Sequence, residues 1–186
     1  MSKLYLKKVD EQDKDAWIEY SEDFYRAGEF SKEKWDKHRN VDWAKKLKSI
    51  EESKERPSKL NIFYMFEDSK MIGVIYIHLK PELFTQGLHD GSHISYMIIP
   101  SKRKQGYGTE MLHLGIKKCK ELGLKEVKVS CLEENIGSYK MIENNCGILL
   151  SIEPDLLEKD KMQRIYKIDV EDSLNKYNSK DNKKTK

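Results

Sequence analysis

The stretch from His93 to Leu132 constrains the fold of this chain more than any other. It begins with "HISYMIIP" (93–100), which is rich in β-branched and aromatic residues and ends at a proline, as a buried strand does. From Thr109 to Gly123 the apolar residues recur at helical spacing, and "KEVKVSCL" (125–132) alternates like a second strand. A strand, a helix and a strand in this order predict a right-handed crossover between two parallel strands.

The residues before this stretch predict a strand, a helical region and a hairpin. The strand covers residues 4–9, and polar helical segments carrying all three tryptophans cover 10–55. Two apolar runs, "NIFYMF" (61–66) and "MIGVIYIHL" (71–79), are joined by a short polar turn and therefore predict a hairpin.

The residues after it predict a short helix and a closing hairpin. Asn135 can cap a helix that runs to about Asn144, and strands are expected at 148–152 and 162–168. The 186 residues suit one α/β (α+β) domain, residues 1–170, without repeats. Residues 171–186 have few apolar side chains and predict a disordered basic tail.

Composition excludes several classes of protein. The 35 basic and 32 acidic residues nearly cancel and are interleaved, so the charge indicates no specific nucleic-acid partner. No run of about 18 apolar residues and no signal-peptide core is present, which predicts a cytoplasmic protein without membrane contact. The three cysteines form no CxxC pair, so we expect reduced core thiols, no disulfide framework and no metal site.

The glycine-rich stretch "RKQGYG" (103–108) lies between the strand and the long helix. Unpaired N–H groups and the helix dipole attract anions at such a position. Gly106 and Gly108 leave room for a bulky ligand, and neighbouring basic residues raise the local potential. A Walker loop is excluded because no Lys and Ser/Thr follow the second glycine, and Met111 stands where a dinucleotide fingerprint needs a small residue. On spacing alone, a tight turn and a pyrophosphate cradle are equally consistent with this sequence.

Two motifs resemble those of a known superfamily. The pattern Ile98-x-Pro100-x-x-Arg103-x-x-Gly106-x-Gly108 resembles the acetyl-CoA-binding motif of the GNAT N-acetyltransferases, in which loop amides bind the pyrophosphate. Downstream, Asn135-x-x-Ser138 resembles the second CoA-contacting element of that superfamily. The likeness covers residues 60–168, and the chain is most similar to a bacterial branch of uncharacterised predicted acetyltransferases.

The resemblance implies a fold and a cosubstrate. The fold is a mixed, mostly antiparallel sheet of about seven strands flanked by helices and splayed between the fourth and fifth strands, with the pantetheine arm of acetyl-CoA in the gap. Residues 60–168 would form the CoA-binding core and 10–55 the acceptor side of a monomer or homodimer. The implied cofactor-binding residues are Met97, Ile98, Ile99, Arg103, Lys104, Gln105, Gly106, Tyr107, Gly108, Thr109, Asn135 and Ser138.

Acetyl transfer to an amine requires that a proton be removed. An alkyl amine with a pKa of about 10.4 lies roughly 4.6 kcal/mol from its neutral form at pH 7. The superfamily often places the base early in the fourth strand, which implies His93 here, with four weaker candidates: His78, His89, Asp90 and Glu133. Its usual acid, a tyrosine, is replaced by Ile142, so Tyr139 one turn earlier becomes the candidate acid, and Ser138, water or an unassisted thiolate are alternatives.

Aromatic and acidic residues of the helical region are candidates for the acceptor side. Trp17, Phe24, Tyr25 and Trp35 either line a pocket or pack the helices onto the sheet. Glu22, Asp23 or Glu29 would attract an ammonium group. We therefore expect an acetyltransferase acting on a small-molecule or peptide amine. The alternatives are a catalytically silent acetyl-CoA-binding protein and, last, a nucleic-acid-binding protein that uses the basic tail.

Overall fold

A seven-stranded sheet forms the centre of the protein, which we analysed as a computed structural model describing residues 3–83, 91–155, 158 and 160–184, with side chains as far as Tyr177. The strands are β1 (Leu4–Lys7), β2 (Leu60–Glu67), β3 (Lys70–His78), β4 (Ile94–Ile98), β5 (Glu126–Leu132), β6 (Ile148–Pro154) and β7 (Met162–Asp169). Their order in the sheet is β1-β2-β3-β4-β5-β7-β6, and every neighbouring pair except β4 and β5 is antiparallel. This mixed, mostly antiparallel sheet confirms the predicted fold class.

Helices cover the sheet. They are α1 (Lys14–Arg26), α2 (Lys32–Arg39), α3 (Trp43–Glu52), α4 (Tyr107–Glu121), α5 (Ile136–Asn144) and α6 (Val170–Lys184). Ser31 and Asp42 cap α2 and α3 by accepting backbone N–H groups, which explains where these two helices begin. The centre of α4 packs closely on β3, because a Cβ at Gly115 would lie only 2.3 Å from Ile75 Cδ1.

The parallel strands β4 and β5 touch only where they begin. The backbone N–H of His93 donates to the carbonyl of Lys128 at 2.8 Å, and among the described residues the register of β4 and β5 contains the single pair Ile94 and Val129. Beyond this pair the strands separate, as the resemblance implied for the fourth and fifth strands. The carboxyl-terminal half of β4 therefore has one edge available for a ligand.

The end of the chain differs from the expected disordered tail. Residues 170–184 form α6, which packs against α4, and the side chains of Val170 and Leu174 are buried. Farther along, the ring of Tyr177 stacks on His113 with 3.5 Å between ring centroids. The prediction for 171–186 was wrong over this part because three apolar residues spaced i, i+4 and i+7 form one helical stripe, which low mean hydropathy concealed.

The structure agrees with reduced cysteines and shows no spanning helix. Cys119 is buried, and burial raises the pKa of its thiol to about 12. Cys131 is half-buried, with a thiol pKa raised by burial to about 11. Within the described parts of the chain, none of the helices is long and apolar enough to cross a membrane.

Candidate functional site

The loop between β4 and α4 leaves the first turn of α4 uncapped. Pro100–Lys102 forms a 3-10 turn, and Lys104 and Gly106 then adopt left-handed backbone angles, with φ of 59° and 90°. Gly106 is the N-cap residue of α4, and it has no side chain that could accept the backbone N–H groups of the first helical turn. The first amides of α4 therefore point into solvent beside the end of β4, where they can bind an anion.

Two of the three basic side chains of this loop are already neutralised. Lys102 forms an ion pair with Glu67 of β2 at 2.5 Å. Arg103 makes two bonds to the carboxylate of Glu29, at 2.5 and 2.9 Å, and its Nε donates to the carbonyl of Ile98 at 3.0 Å. Among the described residues Lys104 has no ion-pair partner, so the loop presents its positive charge to a ligand mainly through this residue.

A cleft of about 730 Å³ joins the loop, the open edge of β4 and one face of α5. This volume lies in the range of sites that bind cofactors. Nine of the residues predicted to bind the cofactor line it: Met97, Ile98, Arg103, Lys104, Gly106, Gly108, Thr109, Asn135 and Ser138. The cleft wall on α5 adds Lys140, which like Lys104 has no ion-pair partner among the described residues. The sequence motif and the cleft therefore coincide.

Three predicted cofactor-binding side chains lie outside the cleft lining. Ile99 is buried in the core. The side chain of Gln105 donates to the carbonyl of Ser101 at 2.8 Å and so closes the turn. The hydroxyl of Tyr107 donates to Glu67 at 2.6 Å, away from the cleft. If these residues bind a cofactor, they do so through their backbone.

The second motif, Asn135-x-x-Ser138, caps the start of α5. Gly108 of α4 lies against the same helix. Asn135 Oδ1 accepts the N–H of Ser138 at 3.1 Å and thereby fixes the start of α5. A Cβ at Gly108 would lie 2.9 Å from Met141 Sδ, whereas one at Gly106 would meet no atom within 4 Å. Gly108 therefore lies where α4 packs against α5 and also lines the cleft, so its role as a close approach to the ligand stays a prediction.

Comparison with known proteins identifies the family. The profile described as an acetyltransferase (GNAT) domain matches residues 3–146, more than three quarters of the chain. The protein belongs to the GNAT acetyltransferase family. It is thus an acyltransferase by class, and the predictions of family, fold and enzyme class are confirmed. No curated protein was found that matches the sequence significantly.

Several solved structures share the fold of this GNAT protein, and some of them contain CoA or acetyl-CoA. RimJ of Mycobacterium smegmatis, in complex with CoA-disulfide, is 18% identical with a TM-score of 0.68, covering 91% of this chain and 83% of that one. A Salmonella typhimurium acetyltransferase that modifies the N-terminal serine of ribosomal protein L7/L12 is 15% identical with a TM-score of 0.63, over 89% and 94%. A putative acetyltransferase, YncA, from the same organism and with bound acetyl-CoA, is 14% identical with a TM-score of 0.59, over 90% and 94%.

His93, the predicted base of this GNAT protein, lies at the closed end of the gap between β4 and β5. Its Nδ1 accepts the backbone N–H of Lys128 at 3.1 Å, and burial lowers the pKa of the ring. In the neutral ring Nε2 must then carry the proton, so neither nitrogen can accept another without breaking this contact. His93 is also absent from the residues that line the cleft. The assignment as base stays a prediction, and this geometry counts against it.

The weaker candidates for the base are similarly engaged or lie outside the described residues. Nδ1 of buried His78 lies 3.1 Å from the hydroxyl of Ser58, and Glu133 pairs with Arg164 at 3.0 Å. His89 and Asp90 belong to the segment that is not described.

The predicted acid Tyr139 faces away from the cleft of this GNAT protein. The guanidinium of Arg164 lies 4.7 Å from the centroid of its ring, and Tyr139 does not line the cleft. Ile142, which stands at the usual position of the acid, is fully buried and packs against Gly147. Neither residue is placed to protonate a leaving group in the cleft, although the assignment of Tyr139 remains a prediction.

The aromatic residues of the acceptor side mainly form core. Trp17 and Phe24 are buried, and Trp17 packs edge-on against Tyr64 of β2. Trp35 is also buried and carries the half-exposed Tyr25 stacked upon it, with 5.9 Å between centroids. The packing alternative therefore describes Trp17, Phe24 and Trp35.

The acidic residues of this region also have partners. Glu22 pairs with Arg26 at 2.8 Å, Asp23 accepts the N–H of Ser101 at 3.0 Å, and Glu29 binds Arg103. Asp23 and Glu29 thus connect the predicted acceptor side to the loop that precedes α4.

Several cleft residues were missed from the sequence. Lys140 and Asn144 project from one face of α5, one turn apart, and Tyr96 projects from β4 with the parity of Ile94 and Ile98. The i, i+4 spacing from a recognised motif and the two-residue period of a strand were the signals that could have found them.

Replacing Glu29 with Gln is expected to strengthen acetyl-CoA binding about three-fold, because it removes the carboxylate that neutralises Arg103 at the cleft. The substitution breaks the bidentate pair that holds Arg103, and both side chains are 41% exposed, so the pair contributes little more than an ordinary surface ion pair. Titration calorimetry measures the effect, with Glu22→Gln as a control of equal charge change on α1. Equal affinities of both variants and the wild type would show that Glu29 does not limit the charge that Arg103 offers to the ligand.

Proposed function

We propose that this protein transfers the acetyl group of acetyl-CoA to a primary amine of a small molecule or peptide, by direct attack in a ternary complex. The observation that carries the proposal is the cleft in which an uncapped helix start, two lysines that pair with no described carboxylate and an open strand edge converge. These three features match the three parts of acetyl-CoA: the pyrophosphate, the additional phosphate and the amide-containing arm.

The residues of the cleft have separate tasks in this proposal. The first amides of α4 and the ammonium groups of Lys104 and Lys140 bind the phosphates. The unpaired edge of β4 at Met97 and Ile98 hydrogen-bonds the pantetheine arm as an added strand would. The thioester then lies in the gap beside β5, where a neutral amine can attack it.

The lack of an available base near the cleft, among the described residues, favours acceptors that lose a proton easily. At pH 7 an alkyl amine lies roughly 4.6 kcal/mol from its neutral form, whereas an α-amino group with a pKa of about 7.7–8.0 lies only about 1 kcal/mol away. His93 and Glu133 are both engaged by other groups. The α-amino group of a peptide is therefore the acceptor that this site needs to activate least. The similar Salmonella protein that modifies an N-terminal serine supports the same choice.

A panel of acceptors tests the proposal. Purified protein and acetyl-CoA are incubated with peptides that carry a free α-amine, with the same peptides blocked at the N-terminus but containing lysine, and with a polyamine. We expect thiol release and a peptide heavier by one acetyl group for the first set. Tight acetyl-CoA binding without turnover across the panel would support the catalytically silent alternative.

The contact of His93 predicts a pH effect on stability rather than on catalysis. Because burial lowers the pKa of the folded ring, its stabilising contribution is complete above the unfolded pKa of about 6.5 and is lost as pH falls through the folded pKa. In His93→Asn the amide oxygen can still accept the N–H of Lys128 but does not titrate. We expect this variant to lose less stability than the wild type between about pH 7.5 and about pH 5.5 in thermal melts.

The same variant tests the predicted catalytic role. Loss of a general base lowers kcat by about 100-fold or more and removes the acidic limb of its pH profile. We expect His93→Asn to keep that limb. A large fall in kcat together with loss of the limb would establish His93 as the base.

A further inference from the structure

Tyr96 carries a buried hydroxyl inside the candidate active site. It lies on β4, two residues beyond Ile94, where β4 and β5 have begun to separate. Its side chain lines the cleft, and its hydroxyl lies beside Ser138 of α5 and Cys131 of β5. Tyr96 therefore reaches from one edge of the gap toward the other.

This hydroxyl makes no hydrogen bond of normal geometry with any residue that the structure describes. A buried hydroxyl without a partner destabilises a protein by about 1–3 kcal/mol, so proteins rarely keep one without a use for it. A phenylalanine at position 96 would fill the same space without introducing a buried hydroxyl. Apart from the nearby hydroxyl of Ser138, the Tyr96 hydroxyl is therefore available to a ligand group in the cleft.

Transfer of the acetyl group creates a need for such a donor. When the amine attacks, the thioester sulfur leaves with the bonding electrons, and a nearby O–H group can protonate it. Ile142 has no proton to give, and Tyr139 packs under Arg164 outside the cleft. Tyr96 is the tyrosine among the described residues that lines the cleft itself.

We propose that Tyr96 is the general acid of the reaction and donates its hydroxyl proton to the sulfur of CoA. This inference rests on the proposed acetyl transfer. The lone pair of the amine forms the C–N bond, the electrons of the C–S bond pass to sulfur, and sulfur takes the proton from Tyr96 Oη. The phenolate then regains the proton that the amine nitrogen loses, through the hydroxyl of Ser138 or a water molecule. The products are an acetamide and the free thiol of CoA.

Burial supports this assignment. Removal from water raises the pKa of Tyr96, so the hydroxyl stays protonated over the pH range of an assay. Charge that develops on sulfur during the reaction favours the transfer at the moment it is needed.

The variant Tyr96→Phe tests the proposal because it removes the hydroxyl and little else. We expect kcat to fall by about 100-fold with the best amine of the panel. The dissociation constant of acetyl-CoA, measured by calorimetry, should change less than about three-fold, since the phosphates and arm bind elsewhere. The melting temperature should not fall, because the substitution removes a buried hydroxyl without a partner.

A second measurement does not depend on turnover. With CoA bound, the ultraviolet absorbance of the thiolate gives the pKa of the bound thiol. A hydroxyl that donates to sulfur stabilises the thiolate, so the thiol pKa should be about one to two units higher in Tyr96→Phe than in the wild type. If the wild type binds CoA but acetylates no amine, the proposed function fails while this titration still tests Tyr96.

The competing acid is tested in parallel by Tyr139→Phe. A larger fall in kcat for Tyr139→Phe than for Tyr96→Phe would overturn the assignment. An unchanged thiol pKa in Tyr96→Phe would do the same, because it would show that the hydroxyl does not reach the sulfur.

Discussion

The double variant Lys104→Glu with Lys140→Glu should bind acetyl-CoA at least about 100-fold more weakly than the wild type. Each charged hydrogen bond to a phosphate contributes roughly 1.5–3 kcal/mol, and each glutamate adds repulsion. The other loop cations, Lys102 and Arg103, cannot compensate fully because Glu67 and Glu29 already neutralise them. Titration calorimetry at moderate and at high salt gives the affinities, and salt should weaken binding to the wild type more than to the variant.

A control variant at two lysines outside the cleft shows whether the loss of affinity comes from the cleft lysines or from the change in net charge. Lys117 and Lys125 are exposed, lie at or beyond the far end of α4 and do not line the cleft. Lys117→Glu with Lys125→Glu changes the net charge by the same amount and should leave the affinity within about two-fold. Equal losses in both double variants would mean that the cleft lysines act only through the net charge of the protein.

The second large effect is expected for Gly108→Val, which should weaken acetyl-CoA binding by about ten-fold or more. The first atom of the new side chain would lie 2.9 Å from Met141 Sδ, and Met141 itself lines the cleft. Displacing its thioether narrows the cleft or separates α4 from α5, and crowding of this kind also destabilises proteins by about 1–3 kcal/mol. Calorimetry and thermal melts measure both consequences.

Met141→Ala should restore much of the affinity in the Gly108→Val background, because it removes the atom that the valine meets. The single variant Met141→Ala completes the double-mutant cycle with the wild type, Gly108→Val and the double variant. If affinity stays low in the double variant, the valine collides with the ligand itself, and Gly108 has the role that the sequence motif implied.

The sequence was sufficient for the fold because its strongest patterns are local. The strand, turn and helix between residues 93 and 121, and the helix cap at Asn135, follow from periodicity and from capping chemistry within a few residues. The motif also predicted most of the cleft lining. These features need no knowledge of which distant segments meet.

Contacts between residues that are far apart in the sequence could not be predicted from local patterns, and these contacts change the expected roles of individual residues. Arg103 appeared to be a phosphate ligand, but its partner Glu29 lies 74 residues away in the sequence, and no local pattern connects them. The same is true of the bond between the Lys128 N–H and His93 Nδ1. In the sequence Tyr96 looked like one more apolar residue of a buried strand, because only the tertiary structure shows that its buried hydroxyl lines the cleft.

Asp23 and Glu29 link the helical region that we propose binds the acceptor to the loop that we propose binds the phosphates of acetyl-CoA. Asp23 lies near the end of α1 and Glu29 in the following turn, and both bind residues just before α4. An acceptor that moves this segment changes the affinity for acetyl-CoA, and reciprocity requires that acetyl-CoA change the affinity for the acceptor by the same factor. Calorimetry with either ligand present at saturation would therefore give a single coupling free energy, whichever ligand is added first.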